Sequence, residues 1–112
     1  MKKVNILKKN SEFQRIIKTV KPYKYKSYIV YVERIKEENY FFGISVGTKI
    51  GNAVTRNKIK RQIKNILDQK NYQKGFNCII IVKKEVKSQA FLEMKEELFE
   101  ILSKINILKE NT

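Results

Sequence analysis

The residues best equipped for chemistry lie between Gly51 and Lys64, in the run G-N-A-V-T-R-N-K-I-K-R-Q-I-K. Arg56, Lys60 and Lys64 recur at i, i+4 and i+8, and Asn57, Lys58 and Arg61 carry the polar side further round a helical wheel. Lys supplies point charge, whereas Arg and Asn add directional donors, a combination suited to phosphate. No Asp or Glu occurs between Gly43 and Leu67, and two of the chain's four arginines stand here. Like charges at i,i+4 repel by ~0.2–0.5 kcal/mol per pair. A polyanion lying along the helix would turn that repulsion into attraction. The competing reading is a solvated basic face on a basic protein. The local exclusion of acids and the clustering of arginine favour nucleic-acid contact.

Other chemistries have little to work with. The chain has no His, and its single Cys78 sits in the apolar run F-N-C-I-I-I-V, where a buried, inert thiol is expected. The commonest metal ligand and general base is therefore missing. A formal charge of +14 on 112 residues exceeds what solubility needs and points to a nucleic acid or an anionic surface. No apolar run approaches the ~20 residues of a membrane span, and the Lys-rich N-terminus lacks the apolar segment of a signal peptide. A cytoplasmic protein without a membrane partner is expected.

The length allows one domain, 1–112, with one core. Asn52 is an N-cap residue type, and Ile59, Ile63, Ile66 and Leu67 give the basic helix an apolar stripe; its end falls between Leu67 and Tyr72. Before it, Met1–Lys9 reads as a loosely held basic terminus. Asn10 or Ser11 can cap a first helix with Phe13, Ile16, Ile17 and Val20 on its apolar side, stopped by Pro22. Tyr23–Ile35 and Tyr40–Val46 read as antiparallel strands joined near Lys36–Asn39, with Tyr23–Lys26 as a further short edge strand. Phe76–Val82 is nearly all apolar, as a strand buried on both faces should be. If the Tyr40 and Phe76 strands are parallel, the basic helix is the crossover of a β-α-β unit, a connection that is right-handed in about 98% of cases. Ser88 can cap a last helix with Phe91, Met94, Leu98, Ile101, Leu102 and Ile105 inward and Glu93, Glu96, Glu97 and Glu100 on an acidic face turned away from RNA.

The run Gly51–Arg61 resembles the G-N-A-V-x-R-N-R-x-K-R signature of the bacterial ribonuclease P protein component, and the similarity extends from K-K-N-S-E-F-Q-R to the last helix. Lys58 stands where the family has a second Arg, keeping charge without the planar fork. The resemblance implies a two-layer α+β sandwich with a small mixed sheet and a split β-α-β crossover, left-handed in this family, in the order α-β-β-(β)-α-β-α. It also implies a protein subunit whose partner RNA does the chemistry with Mg²⁺ and removes the 5′ leader of precursor tRNA. On that reading Arg56, Asn57, Lys58, Lys60, Arg61 and Lys64 would contact the catalytic RNA. Phe13, Tyr31 and Lys49 would hold the leader, with Ile17 where the family has a second Phe and Thr48 where it has a basic residue. By composition alone Phe13 and Tyr31 read as core aromatics. A structured-RNA binder of ribosomal type is the alternative, and a free-standing nuclease a third.

Overall fold

A computed structural model describes residues 4–109. Its elements are α1 (Asn10–Thr19), β1 (Tyr23–Lys24), β2 (Tyr28–Arg34), β3 (Tyr40–Val46), α2 (Ala53–Leu67), β4 (Phe76–Val82), a 3-10 turn (Lys84–Ser88) and α3 (Phe91–Lys104). The strands form one mixed sheet in the order β1-β2-β4-β3. β3 and β4 are parallel, so α2 is the crossover of a β-α-β unit.

β2 and β3 run in opposite directions as expected, yet they do not pair as a hairpin. β4 lies between them, with Phe76 opposite both Arg34 and Tyr40. The reason is burial. All of β4 except Ile81 is buried, and only the middle of the sheet offers cover on both faces. Gly75 makes the insertion possible. Its φ is 75°, it donates to Asn39 O (3.1 Å), and its own carbonyl accepts from Ile35 N (3.0 Å). A Cβ there would stand 2.6 Å from Ile35 O, so only glycine fits.

The main core lies between α2, α3 and one sheet face, and joins Ile59, Ile63, Ile66 and Leu67 to Tyr28, Phe42, Phe76, Ile80, Leu98 and Leu102. Burying each such side chain is worth roughly 1.5–3 kcal/mol. Four of them on α2 therefore outweigh the ~0.2–0.5 kcal/mol per like-charge pair on its outer side. α1 crosses the other face over a smaller cluster of Ile16, Tyr31 and Ile79.

Several terminal expectations are corrected. Val4–Leu7 is held rather than loose: Val4 N donates to Asp68 Oδ1 (2.7 Å), and Ile6 forms a parallel bridge with Phe42. Met1, Lys2 and Lys3 lie outside the described residues. Neither Asn10 nor Ser11 caps α1, whose N-cap is Lys9, because the chain enters from that bridge. Ser88 closes the 3-10 turn by donating to Glu85 O (3.0 Å), so α3 starts later, where the Glu93 carboxylate accepts from Ala90 N (3.0 Å). Phe91, on this first turn, is exposed rather than core. Among the described residues no helix is long and apolar enough to cross a membrane.

Candidate nucleic-acid interface

The basic side of α2 is built from its cap outward. Asn52 accepts from Thr55 N (2.9 Å), the bond its residue type predicts, and this fixes the helix start and hence the phase of every later side chain. With Ile59, Ile63, Ile66 and Leu67 buried, Asn57, Lys58, Lys60, Arg61 and Lys64 are exposed. Arg56 is half-buried, and its Nε donates to Gly51 O (3.2 Å). Among the described residues the ion pairs engage Arg15, Lys74 and Lys104, and none reaches α2. Its cations thus form an open ridge.

The ridge has two sides. Asn57, Lys60, Arg61 and Lys64 line a groove of about 720 Å³ together with Lys8 and Phe13. Lys58 faces away, toward Lys87 and Gln89. Phe13 reaches the groove because it lies on bare backbone. A Cβ on Gly43 would stand 2.5 Å from its ring, so the glycine allows the aromatic to rest on β3. The structure thus brings Phe13 and four of the six predicted α2 residues into one concavity. Tyr31 is 9% exposed and packs with Ile16 and Ile79. Lys49 is exposed in the connection from β3 to α2, outside the groove lining. Ile17, half-buried, packs against the Tyr31 cluster. Sequence reasoning missed Lys8 and Asn65 as groove residues. Asn65 lies at i+4 from Arg61 and was readable on the wheel, whereas Lys8 depends on the Ile6 bridge and had no local signal.

Beside the groove, α1 is clamped to β2. Arg15 pairs with both oxygens of Glu33 and with Glu12 (2.8 Å), and Asn77 Nδ2 donates to Glu33 Oε1 (3.0 Å). These bonds hold the Glu33 carboxyl below the ordinary carboxylate range, and the two carboxylates raise Arg15 further. Cys78 is wholly buried, and loss of water pushes its thiol far up, so it stays protonated and inert. Among the described residues no three His, Cys, Asp or Glu side chains gather in a way that could hold a metal ion.

Comparison with known proteins agrees with the motif. Residues 1–106 match the family model described as Ribonuclease P. The ribonuclease P protein component of Mycoplasma mobile is 40% identical over 111 residues, covering 98% of this chain and 97% of its own length. That of Streptococcus pyogenes serotype M5 is 33% identical over 111 residues, covering 98% and 93%. The structure of the Staphylococcus aureus RNase P protein superposes with a TM-score of 0.83 at 30% identity, over 96% of this chain and all of that one. With its signature helix, its mixed sheet and its whole-length relatives in agreement, the chain belongs to the ribonuclease P protein family.

Proposed function

We propose that this chain is the protein subunit of ribonuclease P, the ribonucleoprotein that removes the 5′ leader from precursor tRNA. The observation that carries the reading is the cationic ridge of α2, unpaired among the described residues, sharing a groove with Phe13. An aromatic ring among cations suits single-stranded RNA, since a base can stack on the ring for about 1–3 kcal/mol while phosphates meet the ammonium groups.

In this reading Arg56, Asn57, Lys58, Lys60, Arg61 and Lys64 contact the catalytic RNA. Phe13 and Lys49 hold the leader, and Tyr31 offers it the small part of its ring that is exposed. The groove side of the ridge, Asn57, Lys60, Arg61 and Lys64, lies between the two RNAs and neutralises phosphate of both. Among the described residues Glu12 and Glu33 are tied to Arg15, Glu38 to Lys74 and Glu100 to Lys104. In this reading Mg²⁺ is held mainly by the RNA subunit, where it activates water for attack on the phosphodiester. The protein's part is to lower the repulsion between RNA strands. The cytoplasm, where precursor tRNA is made in bacteria, is the assigned location.

The test is leader removal by the cognate catalytic RNA at low Mg²⁺, with and without the protein. Added protein is expected to raise the rate of cleavage and the affinity for precursor tRNA. No gain in either would favour the ribosomal-type RNA binder, a reading the family match already disfavours. Cleavage by the protein without RNA would overturn the division of labour.

A further inference from the structure

A second concavity, of about 620 Å³, lies past the C-terminal end of α2. Three connections line it: Glu38, Asn39 and Tyr40 at the entry to β3, Asn71–Lys74 between α2 and β4, and Lys109 in the tail after α3. Tyr40 packs with the core on the α2 and α3 side of the sheet, so the concavity opens on the side opposite α1. Bonds between distant segments fix its walls. Gln73 N donates to Ile107 O (2.9 Å), Lys109 N to Asn71 O (2.9 Å) and Gln73 Nε2 to Leu108 O (3.0 Å). Arg34 braces the same segments from β2, with Nη2 donating to Asn106 O (2.7 Å) and Nη1 to Gln73 Oε1 (3.3 Å). Gly75 N, donating to Asn39 O (3.1 Å), ties in the third connection. A site built in this way has little freedom left to lose when a ligand enters.

Aromatic rings line one part of it. Tyr40, Phe42, Tyr72 and Phe76 form one cluster, in which Tyr40 stacks on Phe76 with centroids 5.2 Å apart and 13° between the planes. Phe42, Tyr72 and Phe76 are buried, whereas Tyr40 is half-exposed, so its ring is the one a ligand meets. Asn39 and Asn71 are exposed and bring amides to the same concavity. Lys109 is exposed and forms no ion pair among the described residues. Lys74 bonds to Glu38 (2.7 Å), but both side chains stand largely in water, and such a pair is readily exchanged for a phosphate contact. Partial burial, and then the Asp68 carboxylate, raise the Tyr40 phenol above its ordinary value, so it stays a donor.

We infer that this concavity binds one unpaired RNA nucleotide, its base on Tyr40, the base edge at the Asn39 and Asn71 amides, and its phosphate at Lys109 and Lys74. The inference rests on the RNA-binding reading above. A ring, two amides and two ammonium groups match the three parts of a nucleotide, and unstacked bases are read in this way by aromatic and amide side chains. The volume suits one small ligand and not a duplex. Asp68 lines the groove, and three residues later the chain enters the second concavity at Asn71. An RNA lying along α2 past Lys64 therefore comes to Asp68 and then to this opening, where a base turned out of the RNA can enter. The nucleotide can belong to the catalytic RNA or to precursor tRNA; its chemistry is the same, and separate titrations distinguish the two.

The experiment uses two variants. Asn71→Ala, Lys109→Ala changes only exposed side chains, and Tyr40→Leu removes the ring while keeping apolar bulk against Phe76. Each is compared with native protein and with Lys60→Ala in two titrations, catalytic RNA into free protein and precursor tRNA into holoenzyme. Loss of the Lys109 contact is expected to lower the log–log salt slope by about 0.7 and the affinity about fivefold at ~0.1 M salt. Loss of the Tyr40 ring is expected to weaken binding at least about fivefold with the slope unchanged. Weakening in the first titration assigns the nucleotide to the catalytic RNA, and weakening in the second alone assigns it to precursor tRNA. Asn71→Ala, Lys109→Arg is expected to regain the slope. In free native protein, adenosine 5′-monophosphate is expected to shift the side-chain amide NMR signals of Asn39 and Asn71, and inorganic phosphate is not. Equal shifts with phosphate would reduce the concavity to an anion site and overturn the inference. So would native affinity of both variants in both titrations. In that event weaker binding by Lys60→Ala would leave the ridge reading standing, and native affinity of Lys60→Ala would remove that reading as well.

Discussion

Lys60→Ala separates what the ridge does for RNA from what it does to the fold. Lys60 is exposed, has no ion-pair partner among the described residues and lines the groove. Its helical neighbours at i−4 and i+4 are Arg56 and Lys64, so its removal relieves two like-charge pairs. At ~0.2–0.5 kcal/mol each, that is a gain of about 0.4–1 kcal/mol for the free protein, to which alanine's helix propensity adds slightly. A gain of this size raises the melting temperature by roughly 2–4 °C. RNA binding should move the other way. One lost phosphate contact lowers the log–log salt slope by about 0.7–0.9 and the affinity about five- to eightfold at ~0.1 M salt. Melting of the free protein and titration of the catalytic RNA at several salt concentrations measure both. A variant that melts higher while its slope and affinity match the native protein would refute the claim that this side of α2 meets phosphate. A lower melting temperature would show that Lys60 has a stabilising partner.

Three other outcomes follow from the packing. Gly43→Ala brings a methyl group to within 2.5 Å of the Phe13 ring, so α1 must shift; a loss of about 1–3 kcal/mol is expected by denaturant unfolding, with weaker leader binding. Glu33, held below its ordinary value of 4.5 chiefly by Arg15, lends stability that is complete above the unfolded pKa and is lost as pH falls through the folded one. Acid unfolding of Arg15→Ala should therefore show a shallower loss of stability below about pH 4.5 than the native chain, and an identical acid limb would mean the clamp is energetically silent. Cys78, buried and kept protonated, should react with a thiol reagent only as fast as the protein unfolds, and rapid labelling of the native protein would contradict the closed core.

Much of α2 could be read locally. The Asn52 cap, the stripe from Ile59 to Leu67 and the cationic side depend on neighbours within a few turns, and each stands in the structure as the spacing required. β4 is similar, because an unbroken apolar run has only the centre of a sheet to occupy. The first turn of α3 was less legible. Ser88 is a good cap by type, but the 3-10 turn uses its hydroxyl first, and such competition between neighbouring turns has no periodic signature.

By itself the sequence determined which residues are charged, which are apolar and how they alternate, and hence the helices, the strands and the cationic side of α2. Only the tertiary structure decided that β4 separates β2 from β3, that the Val4–Leu7 segment lies beside β3, and that Phe13 rests on Gly43 within the groove lined by Lys60, Arg61 and Lys64. It also decided that Tyr31 is nearly covered. The physical reason is range. Capping and amphipathic spacing act over a few residues, whereas these juxtapositions join segments far apart in the chain, and what settles them is how all the apolar faces are covered at once.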